Sequence, residues 1–358
     1  MGERGVSGER MTARWRASDG EGRPRVSVVT PTYNRRESLL ATLRALARQT
    51  VAPATFEVLV ISDGSTDGTA EVCAHLDAPY ALRYFEQDHR GPAAARNLGV
   101  REARGELLVF LDDDVVPDAA LIAVHLALHE RHPHAVGIGP LLPPPDMRLQ
   151  PWIRWEEEML LEQYAGMAAG MWTPTFRQFY TGNASVPRQD VLDAGGFDAR
   201  FRRAEDVELA IRMHDLGVSF HLLQEARGWH YARRTFRSWF DIPRAYAQAD
   251  VLLTSQPKWR WMLETIGREF HTRHPFLRKL ASNCIGHPLR YSLTVHLCAI
   301  SARLLPLIPL KVCDKLSSSL FSILFNLRYW QTLADELGLE GFWGILEGKL
   351  QPLVAAEG

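Results

Sequence analysis

Five consecutive large apolar residues, Leu107-Leu108-Val109-Phe110-Leu111, run directly into three aspartates, Asp112, Asp113 and Asp114. A short apolar run bounded by Gly105 on one side and charge on the other reads as a strand buried on both faces. Such a strand needs a sheet covered on both sides. Adjacent carboxylates at its end repel, and each raises the other's pKa unless a cation neutralises them. A hard divalent cation does this well: Mg²⁺ and Mn²⁺ prefer carboxylate oxygen and often share their shell with substrate phosphates. The run therefore points to a metal–phosphate site at the carboxyl end of a strand. A solvated acidic turn capping the helix expected over 117–131 is the competing explanation.

The rest of the N-terminal half shifts the balance. VSVVTPTY (26–33) is a β-branched strand ending in Thr-Pro-Thr, and Leu39, Leu40, Leu43 and Leu46 follow at helical spacing. A second strand is predicted over 56–61. It ends in ISDGSTDGT, where Asp63, Gly64, Ser65, Asp67 and Gly68 form a polar turn before a helix over 70–76. A third strand is predicted over 82–85. GPAAARNLGV then opens a short helix, and 106–111 is the strand that delivers the aspartates. Strands alternating with helices imply an α/β fold with a mostly parallel sheet flanked by helices. Ligands of such sheets sit beyond the carboxyl ends of the strands. Thr30 to Tyr33, Asp63 to Ser65 and Asp112 to Asp114 all fall at such ends.

PTYNR, SDGSTDGT, AAARNLG, LDDDV, GNASVPR, GGFD and AEDVELAIR occur in the order typical of inverting glycosyltransferase family 2, which has the Rossmann-like GT-A fold. The resemblance covers 25–231. It implies transfer of a sugar from a nucleotide sugar, a UDP-sugar foremost, to an acceptor hydroxyl with inversion, using Mn²⁺ or Mg²⁺. The acceptor is a glycan, a lipid-linked glycan or a small molecule. Pro31, Thr32, Tyr33, Asn34 and Ser65 would line the donor. Asp63 would accept from a nucleobase edge such as that of uracil; a turn-forming Asp before Gly is the alternative. Arg96 and Asn97 resemble the pair that steadies the donor side. Asp112 would reach the ribose or a metal-bound water, Asp113 the solvent or the sugar, and Asp114 the metal, which acts as a Lewis acid on the departing diphosphate. His230, in GWHY, resembles a histidine that many relatives place on the metal or diphosphate; a structural histidine is the alternative.

Gly182 and Asn183 resemble the acceptor-side strand. Asp206 resembles the second residue of the family's Glu-Asp pair, and it heads a helix stopped by Gly217. It is the candidate general base, with Glu205 second. The helix dipole also favours acids there as plain caps, and it helps keep Asp206 ionised.

Other features leave alternatives open. Trp152 and Trp155 could stack on a sugar ring or an aromatic acceptor, or pack in a core. Arg233 and Arg234, near Arg227 and Arg237, offer forks for a diphosphate or charge for anionic lipid. His125 and His129 share a helix face at a spacing able to hold zinc, but lack a Glu partner and read as surface or packing.

A net charge of −1 gives no general pull toward nucleic acid. Four cysteines without Cys-x-x-Cys spacing suit reduced thiols and a cytoplasmic setting. Residues 1–24 read as a disordered tail without an apolar signal core, and Met11 is an alternative start. The expected organisation is then a glycosyltransferase domain over 25–250 and a helical region over 251–358. The domain divides into a nucleotide-binding half (25–140) and an acceptor half (141–250). In the helical region, 291–310 is broken by His296, Arg303, Pro306 and Pro309, and 316–327 is short. A spanning helix needs roughly 20 apolar residues. An amphipathic hairpin on the inner membrane face and a helical cap on protein remain the two readings.

Three competing functions stay in view. A nucleotidyltransferase is disfavoured because TPTYNRRES lacks a Gly-rich loop. A non-catalytic sugar-nucleotide-binding relative has no chemical need of Asp114 and Asp206. Transfer to a lipid phosphate would need no base. A dehydrogenase fails for want of G-x-G-x-x-G after the first strand.

Overall fold

A computed structural model describes residues 14–16, 22–201 and 203–349. The chain divides into two compact units, one of residues 1–147 and 157–232, the other of 148–156 and 233–358.

The first unit is built on strands β1 (Arg14–Arg16), β2 (Val26–Thr32), β3 (Phe56–Ser62), β4 (Ala81–Glu86) and β5 (Leu107–Leu111). They are followed by β6 (Val115–Pro117), β7 (Ala135–Ile138), β8 (Leu141–Leu142), β9 (Asn183–Pro187), β10 (Ser219–Leu222) and β11 (Gly228–His230). Eight of them form one sheet in the order β1-β4-β3-β2-β5-β9-β7-β10; β6, β11 and β8 form a second, small sheet. β2 pairs parallel with β3 on one side and β5 on the other, with Val26 opposite both Phe56 and Leu107. This register brings the carboxyl ends of the three strands together. Only β1 and β9 run against the other strands of the large sheet. The expected mostly parallel sheet is thus present, with β9 reversed between β5 and β7.

Every residue of β3 and β5 is buried, as a strand covered on both faces requires. Helices α1 (Arg36–Leu46), α2 (Thr69–His75), α3 (Pro92–Glu102), α4 (Leu121–His129), α5 (Pro151–Ala168), α6 (Arg188–Asp193) and α7 (Glu205–Asp215) accompany these strands. α3 approaches β2 so closely that a Cβ at Gly99 would collide with Val29.

Two differences from expectation have local causes. The helix expected over 117–131 begins only at Leu121, because Val115-Val116-Pro117 pairs antiparallel with β11. Its β-branched pair suits a strand better than a first helical turn. Within the segment expected to be a tail, Arg14–Arg16 pairs antiparallel with β4. Residues 1–13 and 17–21 lie outside the described residues.

The first turns of α5, up to Glu156, belong to the second unit together with α8 (Phe236–Phe240), α9 (Ile242–Thr254), α10 (Met262–Thr272), α11 (Pro275–Cys284), α12 (Pro288–Leu304) and α13 (Lys311–Leu346). α13 breaks at Gly338, which has φ 73°. One buried cluster gathers Phe270, Leu277, Leu327 and Trp330; another gathers Trp155, Trp239, Phe321 and Leu324. Among the described residues no helix is long and apolar enough to cross a membrane.

Candidate active site

The site is assembled from the ends of β2, β3 and β5. At the end of β2, Asn34 adopts the left-handed conformation (φ 52°). Its amide donates to Ser65 Oγ at 3.0 Å, and its side-chain oxygen accepts from the Thr66 amide at 2.8 Å. The loops after β2 and β3 are thereby locked to each other, and Pro31 lies within β2 opposite Ile61. Asn34 and Ser65 hold these loops by contacts visible in the protein itself.

Asp63, at the end of β3, is buried and surrounded. Oδ1 accepts from Gln87 Nε2 at 2.7 Å and the Arg90 amide at 2.8 Å; Oδ2 accepts from the Gly91 amide at 2.9 Å. His89 Nδ1 stands 2.9 Å from Oδ2, and the imidazole stacks on Tyr33 with ring centroids 4.3 Å apart. A flat ring thus sets a nitrogen against the carboxylate that the sequence reading gives to a nucleobase edge.

The three aspartates diverge. Asp112 is the most exposed; its Oδ1 accepts from Arg96 Nη2 at 3.0 Å. Asp113 turns inward, against the expectation that it faces solvent or sugar. Its Oδ2 accepts from Thr32 Oγ1 at 2.7 Å and its Oδ1 from Arg35 Nη1 at 3.1 Å. Burial pushes Asp113 up to about 7, despite the pull of Arg35. Asp114 is buried as well. Its Oδ2 accepts from Arg35 Nη1 at 2.7 Å, and its Oδ1 faces His230 Nε2 at 3.6 Å. The other nitrogen of His230 lies 3.3 Å from Oε1 of buried Glu157. His230 reaches this place because β11 pairs with β6, setting His230 opposite Val115.

Opposite these strand ends, Ala204 in the left-handed conformation starts α7. Glu205 Oε1 accepts from Arg96 Nη1 at 2.7 Å. Arg96 therefore bridges Glu205 and Asp112. Burial alone would lower its pKa, but the carboxylates of Asp112, Glu205 and Asp206 outweigh that and raise it. Asp206 accepts from backbone amides, Val207 at 2.9 Å and Thr181 at 3.4 Å. Burial, with Glu205 beside it, pushes Asp206 up to about 7. Thr181 leads into Gly182, whose carbonyl accepts from the Asp112 amide at 3.2 Å. A Cβ at Gly182 would stand 3.2 Å from Asp112 Oδ2, so a side chain would crowd that carboxylate.

Several expected site residues have other work. Asn97 donates to the Phe197 carbonyl at 2.7 Å and accepts from the Phe197 amide at 2.8 Å, clamping the GGFD loop. Asn183 is fully buried, and its side chain donates to the Ala226 carbonyl at 2.7 Å. Its oxygen faces His125 Nε2 at 3.1 Å, so the side chain is turned to the core. The hydrogen bonds fix the protons there. His125 Nε2–H donates to Asn183, Ser185 donates to His125 Nδ1, and His129 Nε2–H donates to Ser185. Burial pushes His125 down to about 4 and His129 to about 3, and both stay neutral packing residues.

Trp155 is buried edge-on against Trp239, and Trp152 donates its Nε1–H to the Arg234 carbonyl at 3.0 Å. Both serve the aromatic cluster of the second unit. Arg234 is paired with Glu156 at 2.9 Å, and Arg233 is exposed.

Arg35, His89 and Glu157 were not singled out from the sequence. Charge accounting around three adjacent aspartates asks for a cation such as Arg35. Nothing in the run Glu156-Glu157-Glu158 marks the middle residue.

Among the described residues, no group of three or more His, Cys, Asp or Glu side chains is arranged to hold a metal. Asp112 is kept apart by Arg96. Asp114 and His230 do face each other, with Oδ1 and Nε2 3.6 Å apart.

Residues 27–204 match the family described as Glycosyl transferase family 2. The chain is 34% identical over 232 residues to "Validoxylamine A glucosyltransferase" of Streptomyces hygroscopicus subsp. limoneus, covering 57% of this chain and 51% of the relative. It is 28% identical over 254 residues to "Uncharacterized glycosyltransferase YfnE" of Bacillus subtilis (strain 168), covering 58% and 64%. The chain thus spans about half to two thirds of the length of these relatives. Among solved structures, the mannosyltransferase PcManGT from Pyrobaculum calidifontis superposes with TM-score 0.59 at 20% identity, covering 88% of this chain and 89% of that one. S. aureus TarS 1–349 superposes with TM-score 0.51 at 15% identity, covering 88% and 92%. Both likenesses concern the fold. With the motifs carried on these strand ends and the match over 27–204, the chain belongs to glycosyl transferase family 2.

Proposed function

We propose that the protein transfers a sugar from a nucleoside-diphosphate sugar to an acceptor hydroxyl with inversion, and that it uses Mn²⁺ or Mg²⁺. The observation that carries this is the row of groups beyond β2, β3 and β5. Tyr33 and Asp63 stand at one end, Asp112 and Asp114 in the middle, and Asp206 across Thr181 and Gly182. The PcManGT structure contains GDP-Man and Mn²⁺, and TarS has been solved with UDP, which supports a nucleotide-sugar donor here.

Asp63 would accept from the N–H of a base such as uracil stacked on Tyr33. Asp112, held through one oxygen by Arg96, offers the other to the ribose. Asp114 and His230 would hold the metal, with Glu157 steadying the imidazole. Mg²⁺ and Mn²⁺ commonly take few protein ligands and complete their shell with phosphate oxygen and water. When bound, the ion neutralises charge on the leaving diphosphate. On the other side of the sugar, Asp206 takes the acceptor proton. The acceptor oxygen bonds to the anomeric carbon as the bond to phosphate breaks, which inverts the centre. Glu205 is engaged by Arg96, so Asp206 is the better base. Glycan, lipid-linked and small-molecule hydroxyls all fit this chemistry.

The test is a panel of nucleotide sugars assayed for hydrolysis and for binding, with and without Mn²⁺, on wild type and Asp114→Ala. Metal-dependent binding in wild type, lost in Asp114→Ala with the fold intact, is expected. Equal metal dependence in both removes Asp114 as a ligand. Failure of every nucleotide sugar to bind overturns the function.

A further inference from the structure

Exposed apolar side chains are concentrated in one stretch of the second unit. Of the twenty large apolar residues exposed on the described chain, ten fall between Leu289 and Leu316. On α12, Leu289, Leu293, Leu297, Ile300 and Leu304 recur at spacings of four and three, which aligns them on one face. The connection into α13, which opens with a 3₁₀ turn over Leu305–Leu307, adds exposed Leu307, Ile308 and Leu310, and Pro306 and Pro309 keep it from continuing as α-helix. Leu289 is 88% exposed and Leu307 75%. A contiguous apolar surface of this kind marks a place of contact and is not ordinary scatter.

Charge decides what makes the contact. Between 273 and 316 the chain carries seven cations, Arg273, Arg278, Lys279, Arg290, Arg303, Lys311 and Lys315, against one acid, Asp314. Asp314 is already paired with Arg154 at 2.8 Å. The whole chain has a net charge of −1, so this surplus is local. A second copy of the chain packed on a two-fold axis would bring the same cations face to face, because such an interface uses one patch on both partners. An anionic bilayer surface satisfies both halves of the pattern: the leucines enter the acyl boundary and the cations meet phosphate. Among the described residues no helix is both long and apolar enough to cross the bilayer, so the contact proposed is interfacial.

We propose that α12 and the turn into α13 form a docking face for an anionic lipid bilayer. The proposal stands independently of the sugar-transfer chemistry. It is tested by sedimenting the full chain with vesicles of phosphatidylcholine alone and of phosphatidylcholine and phosphatidylglycerol in equal parts. Binding is expected only to the mixed vesicles, falling as salt is raised. The exposed pair Leu293→Glu/Leu297→Glu should weaken it by at least about tenfold, since each buried leucine contributes to insertion. Arg290→Glu/Lys311→Glu should weaken binding by a similar factor without changing thermal unfolding, each cation near an anionic surface being worth about fivefold. Three results overturn the proposal. One is a protein that stays in the supernatant with the mixed vesicles. Another is equal binding to both vesicle types. The third is a salt-insensitive dimer that Leu293→Glu/Leu297→Glu splits, which would assign the face to a second copy.

Discussion

Removing the His89 side chain should tighten nucleotide binding. In the free protein the imidazole holds the seat assigned to the base: its Nδ1 is 2.9 Å from Asp63 Oδ2, and it stacks on Tyr33 at 4.3 Å. A base can enter only after this ring leaves. The lost hydrogen bond, from Nδ1 to the Asp63 backbone carbonyl at 3.1 Å, is worth about 0.5–1.5 kcal/mol. The lost stack is worth a similar amount at most. The His89 side chain is 60% exposed, so water recovers part of both contacts. A total near 1 kcal/mol follows, or about fivefold in Kd. Asp63 itself stays in place without His89, since Gln87 and the amides of Arg90 and Gly91 still hold it. The assay is calorimetric titration of UDP into wild type, His89→Ala and His89→Phe, with pyrophosphate as a ligand that lacks the base. His89→Ala should bind UDP more tightly and pyrophosphate unchanged. His89→Phe keeps the ring without the nitrogen and should gain less. Weaker UDP binding in His89→Ala would refute the reasoning, because the imidazole would then be a partner of the base and not its competitor.

Asp206, raised to about 7 by burial and by Glu205, acts as the carboxylate in the proposed mechanism, so kcat/KM should fall as pH drops through 7, by about tenfold per unit on the acid limb. Asp206→Asn should cost at least about a hundredfold at pH 8 while binding donor normally; near-normal turnover there moves the base elsewhere. Arg96→Ala leaves the buried Glu205 carboxylate and Asp112 without their shared cation and should cost about 3–5 kcal/mol in urea unfolding. Gly182→Ala places a methyl group 3.2 Å from Asp112 Oδ2 and should weaken donor binding by about 1–3 kcal/mol with an unchanged far-ultraviolet spectrum; unaltered affinity would show that Asp112 is free to move.

The parallel strands were legible because each is a β-branched or apolar run that ends abruptly in polar residues. Asp112 to Asp114 were legible as a group but not one by one. The chain turns immediately after β5, so the two-residue alternation that sorts side chains along a strand no longer applies. Asn97 and Asn183 illustrate a second limit. Both are polar and both lie in motifs, yet Asn97 bonds the backbone of Phe197, and Asn183 bonds the Ala226 carbonyl and the His125 imidazole; sequence spacing does not reveal such distant partners. The choice between stacking and core packing at Trp155 stayed open for the same reason, since burial is decided by residues far away in the chain. The pairing of Arg35 with Asp113 and Asp114 spans more than seventy positions and was equally hidden.

The reversed strand β9 also sets the order in which the protein can be completed. Its residues cover the edge of β5, with Leu111 opposite Asn183, yet they leave the ribosome about 70 residues later. At roughly 5–20 residues per second the wait lasts several seconds. Throughout it, Leu107 to Leu111 offer an unpaired apolar edge to any passing strand. A fragment that stops near residue 140 would make that exposure permanent. It would carry Tyr33, Asp63 and all three aspartates, and it should still precipitate.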